Sequence, residues 1–385
     1  MKRSFGTALL VCVVAGGAYA VDDNQRAVSQ EGIEYLQRLR KNVPFGTKGF
    51  DLAALRAGMG SRREPTTQGI KLIRAKIGDV PCEWVLAPGA NPDLRLLYLH
   101  GGGFVSGSGG FYLTLAAHLS ASARCAVLLP DYRLAPEHRF PAGLEDCIRA
   151  HEWMIANGPS GTAPARATFI AGDSAGGNLT LATLLALRDR RRPLPAGGIA
   201  LSPTTDLTLA SESLRTVDDP IISARTMPVF RDLYLGKTDP RNPLVSPVFG
   251  DYRGTAPLLI QVGEHEMLRD DSVRLAKKAR SDGISVKLEV WPGMFHVFQS
   301  HEPLLPEGRE AIDHAADFMR SLLPPPIRDA SPAPRTAIGV PRVAIGQLSL
   351  SPEQQGPTQL LVASGLASRG DRIRTCDLLN PIQTR

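Results

Sequence analysis

The chemistry in this sequence starts at Gly172-Asp173-Ser174-Ala175-Gly176. An apolar run, Phe169-Ile170-Ala171, enters this turn, and Asn178 to Leu187 reads as a helix leaving it. Strand, tight G-x-S-x-G turn and helix together make a nucleophile elbow with Ser174 at its apex. A serine in so sharp a turn adopts a strained backbone, and the residues two before and two after it must pack against each other. Glycines at 172 and 176 have no Cβ to obstruct that approach. The helix starts at the apex, so its first N–H groups are unpaired and face the same side as the hydroxyl.

A serine hydroxyl is a weak nucleophile until a base takes its proton and a third group orients the base. In elbow hydrolases the chain order is serine, acid, histidine. The histidines after Ser174 are His265, His296, His301 and His314. His296 follows the last expected strand in Trp291-Pro292-Gly293-Met294-Phe295-His296, where Gly293 lets the chain fold over the sheet end. His301 and His314 lie further on, in polar surroundings or on the last helix, where a surface role is expected. The acid should follow the strand ending at Val262, among Glu264, Glu266, Asp270 and Asp271. Asp270 and Asp271 are natural caps for the next helix. Glu266 in the turn is the expected acid, with Asp270 as the alternative.

A second stretch fits the same chemistry. Leu94 to Leu99 reads as a strand running into His100-Gly101-Gly102-Gly103-Phe104. A phosphate cradle would need Gly-Lys-Ser/Thr downstream, and none follows. Ahead of a serine elbow, three glycines read as an oxyanion loop, which presents backbone N–H groups with no side chains in the way.

These residues need a scaffold. Strands are expected at 70–77, 82–86, 94–99, 126–130, 168–171, 199–201, 257–262 and 285–290. Helices are expected at 23–40, 52–59, 111–120, 141–157, 271–281 and 307–322. Strands alternating with helices imply a mostly parallel sheet covered on both faces, with its site at the carboxyl ends of strands. Thr204 to Gly254 breaks this rhythm. It is rich in Pro, Asp and Ser, with one apolar patch from Met227 to Leu235, and reads as an inserted cap.

Composition sets outer limits. The 385 residues are 43% hydrophobic, which suits a globular chain with a sizeable core. Much of the net charge of +6 comes from Lys2, Arg3 and the arginines after Leu323, so no basic face for nucleic acid is expected. Lys2-Arg3, the uncharged run Gly6 to Ala20 and Ala18-Tyr19-Ala20 read as a cleaved export signal, too short to span a bilayer. The expectation is a periplasmic or secreted protein spanning 21–323, with a cap from about 21–60 and 204–254. Pro324-Pro325-Pro326 opens a segment, 324–385, without periodicity, read as a linker and disordered tail. Cys12 falls in the signal and Cys376 in the tail. Cys82, Cys125 and Cys147 make no disulfide framework, although export permits one bridge. Cys125 reads as a buried small hydrophobe.

Four stretches in order, HGGGF at 100–104, DYRLAPE at 131–137, GDSAG at 172–176 and GMFHVF at 293–298, resemble the hormone-sensitive-lipase-like group of α/β-hydrolases, the "α/β hydrolase fold-3" esterases. The likeness covers Arg40 to Leu323. It implies the α/β-hydrolase fold, with about eight mostly parallel strands flanked by helices under a helical cap. It also implies that Gly102, Gly103 and Ala175 supply the oxyanion-hole N–H groups. Many members carry Asp-Pro-Leu-x-Asp where this chain has Glu266-Met267-Leu268-Arg269-Asp270. Glutamate is one methylene longer and still reaches an imidazole.

The expected activity is hydrolysis of soluble short- to medium-chain carboxylic esters through an acyl-enzyme on Ser174, falling below about pH 6 as His296 protonates. Neither metal nor organic cofactor is needed, and the expected partner is a small-molecule ester. An amidase or peptidase would use the same machinery. A ligand-binding scaffold is the rival of another class: the plant gibberellin receptors resemble this group but lack the histidine that His296 supplies here. A membrane-acting lipase would call for a long apolar lid, whereas this cap is polar with one short apolar patch.

Overall fold

The computed structural model describes residues 27–323. The signal read at Met1–Ala20, the tail from Pro324, Cys12 and Cys376 lie outside the described residues.

The chain builds one eight-stranded sheet. Its strands are β1 (Lys71–Ile77), β2 (Val80–Leu86), β3 (Asn91–Leu99), β4 (Cys125–Pro130), β7 (Ala167–Asp173), β8 (Gly197–Leu201), β9 (Leu258–Gly263) and β10 (Val286–Trp291). A separate two-stranded hairpin pairs β5 (Asn157–Gly158) with β6 (Gly161–Thr162). The sheet order is β1-β2-β4-β3-β7-β8-β9-β10. β1 and β2 form the antiparallel pair expected from the sequence, β2 joins β4 antiparallel, and the remaining neighbours run parallel. Leu94 to Leu99, Cys125 to Pro130 and Leu258 to Gly263 are buried throughout, because helices cover both faces of a parallel sheet. The edge strand β1 keeps an alternating pattern.

One face carries α3 (Leu113–Ala123) and α9 (Pro306–Ser321). The other carries α4 (Ala142–Ala156), α5 (Ala175–Asp189) and α8 (Arg269–Ser281). Cys82, Cys125 and Cys147 are buried free thiols in these cores. Burial pushes the Cys82 and Cys125 thiols up to about 12, so both stay protonated. Arg95 is the charged residue within the buried run of β3. Its fully buried guanidinium donates to the carbonyls of Met154 (2.7 Å) and Ala163 (2.9 Å), tying the end of α4 and the hairpin segment to the sheet.

Two segments lie outside the alternating pattern. Before the sheet come α1 (Gln30–Leu39) and α2 (Leu52–Met59). The expected first helix begins late, at Gln30, because the Ser29 hydroxyl accepts from the Gly32 N–H and caps it. Between β8 and β9 the chain leaves the sheet through α6 (Ser213–Thr216) and α7 (Thr226–Leu235). The roots of this insert are fixed by buried polar bonds. Asn178 on α5 donates to the carbonyls of Thr204 and Val245, both at 2.8 Å. Asp271 on α8 accepts from the N–H groups of Thr205 (2.7 Å) and Asp206 (3.0 Å). The two segments also join each other: Phe45 N–H donates to Ile221 O and Ser223 N–H to Phe45 O, each at 2.9 Å. Among the described residues no helix is long and apolar enough to cross a membrane.

Candidate active site

Ser174 sits between β7 and α5 with φ 53° and ψ −116°, a strained conformation for a residue with a Cβ. The turn is tight because its glycines allow it. A Cβ on Gly172 would lie 2.4 Å from Gly176 O, and one on Gly176 would lie 1.9 Å from Leu99 O. Ser174 N–H donates to Leu201 O on the neighbouring strand at 2.9 Å, which locks the apex to the sheet.

Two turns at neighbouring strand ends bring acid and histidine together. After β9 and β10, Glu264 N–H donates to Trp291 O at 3.0 Å and His265 N–H to Met294 O at 2.8 Å. Glu264 itself turns to the Gly293 N–H at 2.9 Å. Glu266 points inward, fully buried, with Oε2 at 2.9 Å from His296 Nδ1. Its Oε1 accepts from Ser202 Oγ at 2.8 Å and from the Gly263 N–H. Ser202 in turn accepts from the Val297 N–H at 3.1 Å, so one hydroxyl fastens the acid to the histidine turn. Asp270, in the first turn of α8, instead accepts from the Ser213 N–H at 2.8 Å.

Burial pushes the Glu266 carboxyl up, partly offset by His296. For His296 burial is the largest influence and opposes the charged ring. The Glu266 hydrogen bond and the charges of Glu266, Asp219 and Asp173 together outweigh it, so the imidazole lies above its ordinary value.

The glycine loop is held from behind. Asp173, wholly buried beside Ser174, accepts from Tyr98 OH (2.8 Å), Tyr112 OH (2.8 Å) and Gly101 N–H (3.0 Å). Burial raises its carboxyl to about 6, against the pull of these donors. The loop carbonyls are turned away and engaged: His100 O by Tyr132 OH (2.6 Å), Gly102 O by Ser106 Oγ (2.8 Å), and Phe104 O by Ala135 N–H (3.0 Å). Gly102 reaches this orientation at φ 120°, which favours glycine. Among the described residues, the N–H groups of Gly102, Gly103 and Ala175 donate to no acceptor. The DYRLAPE stretch thus buttresses the loop. Tyr132 and Ala135 bond it directly, and Glu137 pairs with Arg56 of α2 at 2.6 Å.

Ser174, His296, Gly102 and Gly103 line one cavity of about 200 Å³. Phe45, Leu55 and Met59 wall it from the N-terminal segment, and Leu207, Ile222, Met227 and Phe230 from the insert. One expectation is corrected. His301, half-buried, lines this cavity rather than serving only the surface, and its Nδ1 lies 2.8 Å from Tyr35 OH on α1. His314, on α9, pairs with Glu289 at 2.8 Å. Sequence reading missed Ser202, Asp173 and Asp219. Ser202 follows β8 and Asp173 ends β7, so the strand-end rule that selected the other site residues applies to both. Asp219, in the insert, accepts from Met267 N–H (3.1 Å) and Ile221 N–H (2.8 Å) and has no such signal.

Residues 96–300 match the α/β hydrolase fold family. An acetyl-hydrolase from Streptomyces hygroscopicus is 42% identical over 247 residues, 64% of this chain and 81% of the relative. An esterase from Acinetobacter venetianus is 34% identical over 263 residues, 68% of this chain and 84% of the relative. The crystal structure of an esterase from the bacterial hormone-sensitive lipase family superposes with a TM-score of 0.69 at 39% identity, covering 78% of this chain and 100% of that one.

Proposed function

This chain belongs to the α/β-hydrolase family, in its hormone-sensitive-lipase-like branch, and is a carboxylic ester hydrolase; we propose that it works through an acyl-enzyme on Ser174. His296 takes the Ser174 proton as the hydroxyl oxygen attacks the ester carbonyl. Glu266 accepts the Nδ1–H, which leaves Nε2 free to act as base, and it stabilises the imidazolium that forms. The N–H groups of Gly102, Gly103 and Ala175 receive the carbonyl oxygen as its charge grows. His296 returns the proton to the leaving alcohol. It then removes a proton from water, which attacks the acyl carbon and frees the serine.

The observation that carries this reading is the Glu266–His296 contact of 2.9 Å, with His296 and Ser174 on one cavity wall beside unengaged backbone N–H groups. Each such donor is typically worth ~10²–10³ in rate. An apolar cavity of about 200 Å³ supports short- to medium-chain acyl groups. Export rests on the sequence at Met1–Ala20 alone. N-terminal sequencing of the mature protein tests it, and a chain beginning at Val21 is expected.

Turnover of p-nitrophenyl esters from acetyl to palmitoyl tests the reading, with Ser174→Ala run alongside. The highest kcat/KM is expected at the short end, and Ser174→Ala should remove ~10⁴-fold or more of kcat. Folded protein with no serine-dependent turnover at any chain length would reject the mechanism.

A further inference from the structure

Two adjacent arginines in the loop after α2 have different surroundings. Arg62 is paired with Glu83 through two bonds of 2.9 and 3.1 Å. Arg63 has no carboxylate in ion-pair reach among the described residues, and no side-chain acceptor. Its position is nevertheless fixed. Its N–H donates to Gly110 O at 2.9 Å, and its guanidinium lies over the Phe111 ring, 3.5 Å from the centroid. Such stacking holds the cation by its face and leaves the N–H edges free.

Phe111 is a wall of the ester cavity, as are its neighbour Tyr112 and His301. Burial first, and the Arg63 charge second, hold His301 down to about 4, so it stays neutral and adds no second cation. Asp173, the carboxylate in the cavity wall, is saturated by Tyr98, Tyr112 and Gly101. Glu302, whose charge Arg63 also feels, is buried with its carboxylate 2.7 Å from His118 Nδ1. Apart from the candidate site residues the cavity walls are mainly apolar, and Arg63, exposed and stacked on the wall residue Phe111, presents an uncommitted guanidinium just outside them.

We propose that Arg63 receives an anionic group, a carboxylate above all, on the ester substrate. The natural substrates are then half-esters or acylated hydroxy acids, with an ionised carboxylate beyond the apolar part that fills the cavity. A guanidinium suits this role because its donors match the two oxygens of a carboxylate. The proposal rests on the ester-hydrolase reading of the cavity.

Two matched substrate pairs test it. One is p-nitrophenyl hemisuccinate against p-nitrophenyl butyrate, with the charge on the acyl side. The other is 4-acetoxybenzoate against its methyl ester, with the charge on the alcohol side. Arg63→Met should lower the anion-to-neutral ratio of kcat/KM about tenfold in one pair, while neutral esters change by less than about twofold. Arg63→Lys should retain much of the preference, and added salt should shrink it in the wild type. A ratio unchanged by Arg63→Met in both pairs overturns the site. Calorimetric binding of both charged esters to Ser174→Ala protein, with and without Arg63→Met, asks the same question without turnover. Binding of one ester that weakens with Arg63→Met supports the site, and equal binding of both overturns it. Absence of turnover for every ester, neutral ones included, would count against the esterase reading while leaving the calorimetric result to decide on Arg63.

Discussion

On the cavity floor, Ser174, Glu266 and His296 are fixed by backbone approach and buried hydrogen bonds. A Cβ at Gly176 would strike Leu99 O, Ser202 ties Glu266 to the histidine turn, and Asp173 holds Gly101. In the roof, Phe45, Ile222, Met227 and Phe230 face the same cavity as side chains packed on one another. Phe230 meets Phe50 edge-on at 5.5 Å, and among the described residues the two roof segments share one β-bridge, Phe45 to Ile222, closed by two backbone hydrogen bonds. Even so, the roots of the insert, at Asn178 and Asp271, are as polar and buried as the floor. The difference matches the tasks. Reacting groups tolerate little displacement, whereas a wall that sets chain length can be repacked. Stability and rate should thus be coupled on the floor and separable in the roof.

The largest test of that contrast is Glu266→Gln, which keeps shape but offers an amide to His296 Nδ1. Loss of the correct tautomer should lower kcat by roughly 10³- to 10⁴-fold. Asp270→Asn, measured alongside, should leave kcat within about threefold, since Asp270 bonds Ser213 rather than His296. Next comes Asp173→Ala. It strands the buried hydroxyls of Tyr98 and Tyr112 and leaves the Gly101 N–H with Tyr112 OH as its acceptor, so stability should fall by about 3 kcal/mol in denaturant titrations, and kcat by ~10-fold or more as the glycine loop shifts.

A pH profile sharpens the account of the floor. His296 must be neutral to accept the Ser174 proton, and its environment favours the charged ring. The acid limb of kcat/KM should therefore lie above the ordinary histidine value of about 6.5, rising about tenfold per unit below it. This places the limb above the fall near pH 6 expected from the sequence. In Glu266→Gln the limb should move down, since the charge that favours the imidazolium is removed. The smallest effect belongs to the roof. Phe230→Ala should shift the preferred p-nitrophenyl ester to a longer chain, with acetate turnover reduced less than about tenfold. An equal loss on every chain length would place Phe230 with the floor, through its contact with Gly103.

The floor was the more legible part. The elbow, the glycine loop and His296 are written in short local patterns, each at a strand end where the fold must put a site. The eight strands followed from apolar runs bounded by turn residues, whereas the start of α1 moved to Gln30 because its Ser29 cap is a local bond. The β5–β6 hairpin has two-residue strands, too short for any periodicity. Arg95 reads as a solvent-facing charge until the carbonyls of Met154 and Ala163 surround it. Ser202 and Asp219 act through partners far away in the chain, 64 residues to Glu266 and 48 to Met267. Such pairings have no spacing to read. His301 was misplaced for the same reason: its surroundings are polar in sequence, yet Tyr35 and Phe295 enclose it in space.

The most direct measurement is covalent labelling with a fluorophosphonate, followed by peptide mapping. The account predicts one adduct per chain, on Ser174, with esterase activity lost in proportion to labelling. It also predicts much slower labelling in Glu266→Gln, because the base is no longer oriented. Full inactivation with the label on another residue, or full labelling of Ser174 with activity retained, would contradict a mechanism that runs through this serine.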